Sequence, residues 1–232
     1  MRVTAAARTE AWARPSRVLR LPGVYRAQAD SSFLAAAMRR EGIGSGMEVL
    51  DLCTGSGSVA LHAARLGAQV TAVDISRRAV ISARVNASVA GLQVAVRRGD
   101  LFSAYPGRRF DAVVSNPPYV PSPDPRVPRR GASRAWNAGC DGRALLDRIC
   151  DAAPAALRPG GLLLLVHSEL NRPEETVRQL VMGGLKASVI DHASVPFGPI
   201  MRTRMNWLKE RGLVSAAERR RERLVIIRAD KL

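Results

Sequence analysis

The sequence predicts an α/β fold on a mainly parallel sheet, and three observations carry that prediction. Apolar runs of strand length alternate with helical patterns through most of the 232 residues. The first such run ends in a glycine turn that opens directly into a helical pattern, as in a β-α-β unit. The longest apolar run, Gly161-Leu-Leu-Leu-Leu-Val166, has the length of a buried strand and falls well short of the roughly 18 residues that span a bilayer.

In order, the first strand is Met47 to Asp51, and Gly55-Ser-Gly57 turns it into a helix from Ser58 to Leu66, ended by Gly67. A second strand covers Gln69 to Val73. Ser76 then caps a helix that lasts to about Ala90, because its hydroxyl can accept from a free N–H of the first turn. Gln93 to Val96 is a short third strand and Phe110 to Ser115 the fourth. A helix over Asp141 to Leu157 is broken by Pro159-Gly-Gly161 before a strand at Leu162 to His167. Pro173 opens a helix to Met182, proline being tolerated where no N–H is needed, and Gly183-Gly184 stops it. Lys186 to Asp191 and Arg223 to Ile227 complete seven strands, the last of them antiparallel. Residues 21–232 thus read as one domain behind a basic arm, 1–20. Two segments break the alternation: a proline- and arginine-rich loop, Pro121 to Gly139, and an Arg-rich insertion over 193–222. Within the insertion Met201 to Arg211 and Ser215 to Arg223 read as helical, since compact domains seldom carry so long a structureless stretch.

The formal charge is +16, which suits a nucleic-acid or nucleic-acid-bound partner. Lysine occurs only at 186, 209 and 231, however, so a general bias toward arginine inflates that figure. Cys53, Cys140 and Cys150 are odd in number and lack metal-ligand spacing, which fits ordinary thiols in a reducing cytoplasm and no metal site. The first 20 residues are rich in Ala and Arg, as in a transit peptide, but have no secretory apolar core; a basic arm on a cytoplasmic protein is the simpler reading.

The chemistry concentrates at strand ends. Asn116-Pro-Pro-Tyr119 follows the fourth strand, and neither proline can extend a ladder. The stiff backbone fixes the Asn amide and the Asn and Pro carbonyls beside an aromatic ring, a template for gripping a planar –NH2 group. A proline turn that merely closes a strand has the same sequence. Upstream, Asp51-Leu-Cys53-Thr54-Gly55-Ser-Gly57 lets the backbone approach a ligand closely. It lacks the third glycine of a dinucleotide fingerprint, having Ala60 there, and has no P-loop lysine. Asp51 would repel a pyrophosphate and welcome an ammonium group. Asp74 ends the second strand, where a carboxylate binds ribose hydroxyls, and Gly99-Asp100-Leu101 follows the third, where an acceptor can read an adenine amino group. Ammonium, ribose and adenine sites together describe S-adenosylmethionine.

With these residues the chain resembles the class I methyltransferases, and among them the HemK-like protein-glutamine N5-methyltransferases. The resemblance extends over roughly residues 21–230. It includes Val24-Tyr25-Arg-Ala-Gln-Ala-Asp30-Ser31, Asp141-Gly-Arg143, Pro159-Gly-Gly161 and Arg221-Glu-Arg-Leu-Val225, which fit the short, eukaryotic- and archaeal-type branch. It implies a Rossmann-like, seven-stranded, mostly parallel sheet with helices on both faces. It also implies cofactor contacts at Tyr25 and Asp30, in a segment that closes over the cofactor, at Asp51, Cys53, Thr54, Gly55 and Gly57, at Asp74 and Ile75, at Asp100 and Leu101, and at Asn116. Asn116, Pro117 and Tyr119 would hold the acceptor, in that family the glutamine of a release-factor Gly-Gly-Gln segment. With the first strand at Met47, the N-terminal helical domain of the bacterial enzymes is expected to be missing; a small activator subunit is a feature of the eukaryotic-type enzymes. Adenine N6 in DNA or RNA, or a small metabolite, would suit the same clamp, and Arg126, Arg129, Arg130 and Arg134 could contact phosphates, a release factor or only solvent.

Overall fold

The computed structural model describes residues 18–128, 130–214 and 221–232. The N-terminal arm up to residue 17, Arg129, and the part of the expected second insertion helix at 215–220 lie outside the described residues.

Seven strands form one sheet: β1 (Glu48–Leu52), β2 (Gln69–Asp74), β3 (Val94–Arg98), β4 (Phe110–Ser115), β5 (Leu157–Ser168), β6 (Lys186–Pro196) and β7 (Arg221–Asp230). Across the sheet they run β3-β2-β1-β4-β5-β7-β6. The first five are mutually parallel, and β7 lies antiparallel between β5 and β6. Strand order reverses between β1 and β4, so the crevice that open α/β sheets use for ligands lies at the carboxyl ends of those two strands.

The helices are α1 (Ala29–Arg40), α2 (Ser58–Arg65), α3 (Arg77–Val89), α4 (Ala144–Ala156), α5 (Pro173–Met182), α6 (Pro199–Thr203) and α7 (Met205–Glu210). No helix among the described residues is long and apolar enough to cross a membrane. Ser76 caps α3 as expected, its hydroxyl accepting from Ala79 N at 3.4 Å. Leu163, Leu164, Leu165 and Val166 of β5 are completely buried, as befits a strand with neighbours on both sides and helices on both faces.

Three boundaries differ from the sequence expectation. Pro159-Gly-Gly161 does not precede β5 but sits inside it: pairing with β4 jumps from Phe110↔Leu157 to Ala112↔Leu162, and the extra residues loop out as a bulge. A Cβ at Gly161 would lie 3.0 Å from the Asp111 carbonyl oxygen, which explains the glycine there. The insertion is shorter than 193–222, because β6 continues to Pro196 and β7 begins at Arg221, the two pairing Pro196↔Arg221. Backbone pairing, invisible to local composition, claims those residues, and it makes 221–223 strand rather than helix. Met201 to Arg211 is helical but divided, with Arg204 as the joint between α6 and α7. α1 is an element that the apolar pattern of the sequence did not announce; it packs on α2, β5 and β7, and ion pairs Arg40–Asp191 and Arg228–Glu41 join its end to β6 and β7.

Candidate active site

The glycine loop between β1 and α2 is organised from below by Asp51. Its carboxylate is almost wholly buried and its Oδ2 accepts from Thr54 Oγ1 at 2.6 Å and from Ala60 N at 3.1 Å. Burial pushes its pKa up to about 7 against the lowering effect of those two bonds, and Asp74 nearby raises it further. Asp51 therefore spends one oxygen on holding the loop. Cys53, at φ 58°, occupies the left-handed region at the tip of β1, an uncommon conformation for a side-chain-bearing residue and one that clusters at ligand sites. Its thiol is pushed well up by burial and by the surrounding carboxylates, so it is no nucleophile.

Asp74 closes β2. It accepts from Gly55 N through Oδ2 at 2.9 Å and from Ser76 N through Oδ1 at 2.8 Å, leaving each oxygen a further lone pair for a hydroxyl. Burial raises its pKa. Leu101, the second non-glycine residue with positive φ in this region, follows Asp100 at φ 50°. Asp100 itself is bridged by Arg148 of α4 at 2.8 Å. Arg148 is a wall residue that sequence reasoning missed; it lies far along the chain on a helix face with no motif around it.

Asn116, Pro117, Pro118 and Tyr119 line the same cavity as the glycine loop, a space of about 1170 Å3 at the ends of the neighbouring strands β1 and β4. Asn116 Nδ2 donates to Ser31 Oγ at 3.1 Å, which assigns Oδ1 as the free end of the amide. The Tyr119 hydroxyl donates to Asp30 Oδ2 at 3.3 Å, and the Tyr25 hydroxyl to the same oxygen at 2.7 Å. Asp30 also accepts from Ser31 N at 2.6 Å. The start of α1 is thus stitched to the Asn-Pro-Pro-Tyr turn by Asp30 and Ser31. Glu222 of β7 adds a second buried carboxylate nearby. Its pKa is pushed up to about 7, chiefly by burial, and its Oε1 has no partner.

Tyr25, Asp30, Asp51, Cys53, Thr54, Gly55, Asp74, Ile75, Asp100, Leu101, Asn116, Pro117 and Tyr119 all line this cavity. Gly57 does not. At φ 86° it begins α2, and a Cβ there would press on Ala83 of α3 at 3.1 Å, so its role is helix packing. At Gly55, in contrast, a Cβ would meet nothing closer than 4.0 Å, since the loop faces the cavity. His167 lies within β5, fully buried, its ring held neutral with a pKa of about 4 by burial.

The Pro121–Gly139 loop walls the cavity with Val127, Pro128 and Trp136, and the insertion packs on that loop without reaching the cavity. Val120 pairs with Asn137, folding the loop back on itself, and Trp136 faces the cavity. α6 and α7 build a small core of their own from Phe197, Met201, Leu208 and Val214, against which Val120 and Leu170 pack. Arg204 donates to the Pro121 carbonyl at 2.6 Å and to Asn137 Oδ1 at 2.5 Å, clamping the insertion to the loop.

A ligand with hydroxyls for Asp74, a planar amino-bearing ring near Asp100 and an extension along Gly55 toward Asn116 matches the donor set and the cavity volume. Fold and cavity define a class I methyltransferase. Residues 16–126 match the family model described as the methyltransferase small domain. A Methanocaldococcus jannaschii protein assigned as a protein N5-glutamine methyltransferase is 32% identical over 155 residues, covering 66% of this chain and 78% of that one. The release factor glutamine methyltransferase of Xylella fastidiosa is 44% identical over 138 residues, covering 56% of this chain and 50% of its own. The chain thus spans only about half the length of that bacterial relative. Among solved structures, the E. cuniculi Mtq2–Trm112 complex, which methylates the termination factor eRF1, contains a chain of 26% identity and TM-score 0.62, with 90% of this chain and 99% of that one covered. The protein belongs to the HemK-like class I methyltransferases, whose cofactor is S-adenosylmethionine.

Proposed function

We propose that this enzyme methylates the side-chain nitrogen of a glutamine in a protein of the translation apparatus, a release factor with a Gly-Gly-Gln segment being the first candidate. The observation that carries the reading is the Asn116 Oδ1, left over when Nδ2 bonds to Ser31, on a rigid Pro-Pro turn that lines the same cavity as the Asp51–Gly55 loop. The names of the relatives support glutamine over adenine or a metabolite.

In this reading Asp74 holds the ribose hydroxyls, Asp100 and the Leu101 backbone the adenine, and Asp51 with the loop from Cys53 to Gly55 the amino-acid end. Tyr25 and Asp30 cover it. The bound cofactor supplies an electrophilic methyl group. An amide nitrogen is a weak nucleophile because its lone pair is delocalised. Asn116 Oδ1 and the Pro117 carbonyl accept its two hydrogens, orient it, and disperse the positive charge that develops on it. Tyr119 walls the planar group. The proton leaves afterward to water or a carbonyl, so no general base is required. Arg204 and the core of α6 and α7 brace the loop that walls the cavity. The coverage of the Mtq2–Trm112 chain supports an activator subunit as a further partner.

The test is transfer of tritiated methyl into three pools: release factors, nucleic acids and small-molecule extract. Label in the Gly-Gly-Gln peptide is expected. Label in RNA or DNA, abolished by nuclease, would overturn the glutamine reading. Asn116→Ala is expected to abolish transfer while cofactor binding persists; near wild-type turnover in that variant would remove the clamp from its assigned place.

A further inference from the structure

Among the described residues the Asn-Pro-Pro-Tyr turn is held at three points, and only two belong to the α1 side. The third is the main-chain carbonyl of Tyr119, which accepts from Asn171 Nδ2 at 2.8 Å. The same Nδ2 donates to the Asp141 carbonyl at 2.9 Å, so one fully buried side-chain amide ties the clamp to the turn before α4. Gly142 lies in that contact. At φ 71° it presents bare backbone to Tyr119, and a Cβ there would overlap both the Tyr119 carbonyl and Asn171 Nδ2.

Asn171 is in turn locked by Arg143, whose side chain is only 2% exposed. Arg143 Nη1 donates to the Asn171 carbonyl at 2.5 Å, to the Arg172 carbonyl at 3.2 Å and to Thr176 Oγ1 at 3.0 Å. Its Nε and Nη2 donate to Asp147 Oδ1 at 3.0 and 2.7 Å. A planar guanidinium with its hydrogens so distributed fixes the α4–α5 junction in one geometry. Arg172, the next residue, sits at φ 55°, a strained backbone that persists only where its surroundings over-determine it. Neither Asn171 nor Arg143 lines the cavity.

We propose that Asn171, locked by Arg143, is a positioning residue for methyl transfer. It sets the peptide plane of Tyr119 against the rigid α4–α5 pair, and thereby the direction of the Pro117 carbonyl and the Tyr119 ring. The inference rests on the proposed clamp and adds the residues that aim it.

The experiment compares wild type with Asn171→Ser, which removes both amide bonds without burying a charge, and with Arg143→Lys, which keeps the charge and loses the fork. Leu180→Ala, a buried α5 residue outside the brace, serves as the matched control for lost stability. Melting temperature, cofactor Kd, and kcat and KM on a purified Gly-Gly-Gln release factor are measured. Asn171→Ser is expected to lose roughly 10- to 100-fold in kcat, the scale of a small misplacement of reacting groups. Its cofactor Kd and KM should stay within about threefold, and Arg143→Lys should fall between it and wild type. Leu180→Ala should melt lower with kcat unchanged. A kcat within twofold of wild type in Asn171→Ser, or a kcat loss in Leu180→Ala as large as in the brace variants, overturns the proposal. Should Asn171→Ser fail to fold, Arg143→Lys decides alone on the same kcat criterion. An inactive wild type on every glutamine acceptor would instead sink the functional reading, an outcome separate from either result above.

Discussion

Replacing Glu222 with Gln should flatten the pH dependence of stability, and the structure sets both sign and size. Glu222 is 8% exposed, its Oε1 has no partner, and the Asp30 carboxylate opposes its ionisation. Folding therefore raises its pKa from 4.5 to about 7. A carboxyl whose pKa is raised in the folded state binds its proton more tightly there than when unfolded. The stability so contributed is fully present below pH 4.5 and is lost as pH rises through 7. The whole shift corresponds to about 3 kcal/mol, of which about 2.5 kcal/mol falls between pH 5 and 8. In a chain of this size that is roughly 5–10 °C in melting temperature. Asp51, also shifted up to about 7, produces a slope of the same sign in both proteins and cancels in the comparison. Thermal melts of wild type and Glu222→Gln across this range should converge near pH 5 and diverge toward pH 8, with the variant the more stable. Parallel curves, or a wild type that gains on the variant as pH rises, would refute the placement of an ionisable Glu222 against Asp30.

The two glycines of the loop should behave differently. Gly57→Ala, at φ 86° and against Ala83, is expected to lose about 1–3 kcal/mol in urea unfolding; an unchanged midpoint would remove its packing role. Gly55→Ala adds a methyl facing the cavity, and calorimetry should register weakened cofactor binding, with a smaller loss of stability, than in Gly57→Ala. Tyr25→Phe removes one of the two hydroxyls on Asp30 and should raise cofactor Kd severalfold at nearly constant melting temperature; unaltered affinity would argue that the segment does not cover the ligand. Ser76→Ala should cost about 1 kcal/mol through the lost cap, measured by the same denaturation.

Much of the site was legible in the chain because its parts are local. Asp51, Gly55, Asp74, Asp100 and Asn116 each end a strand or begin the turn after one, and parallel strands bring those ends to one edge whatever the details of packing. The two prolines announced a stiff turn for the same reason, since ring closure acts within two residues. Gly57 looked like part of the cradle, but which side of a turn faces a ligand depends on the neighbouring helix, here Ala83. The strand status of Ala193–Pro196 and Arg221–Arg223 depended on partners some thirty residues apart.

The sequence by itself determined the alternation of elements and the order of chemical groups along the crevice, because periodicity, glycine and proline act over a few residues. Only the tertiary structure decided what holds the Asn-Pro-Pro-Tyr turn. Ser31 and Asp30 meet it from 85 or more positions away, Asn171 from 52, and Glu222 of β7 acts on Asp30. A lone buried polar residue in such a place leaves no spacing to read. Its meaning comes from the groups that meet it, and those come together only when the chain is folded.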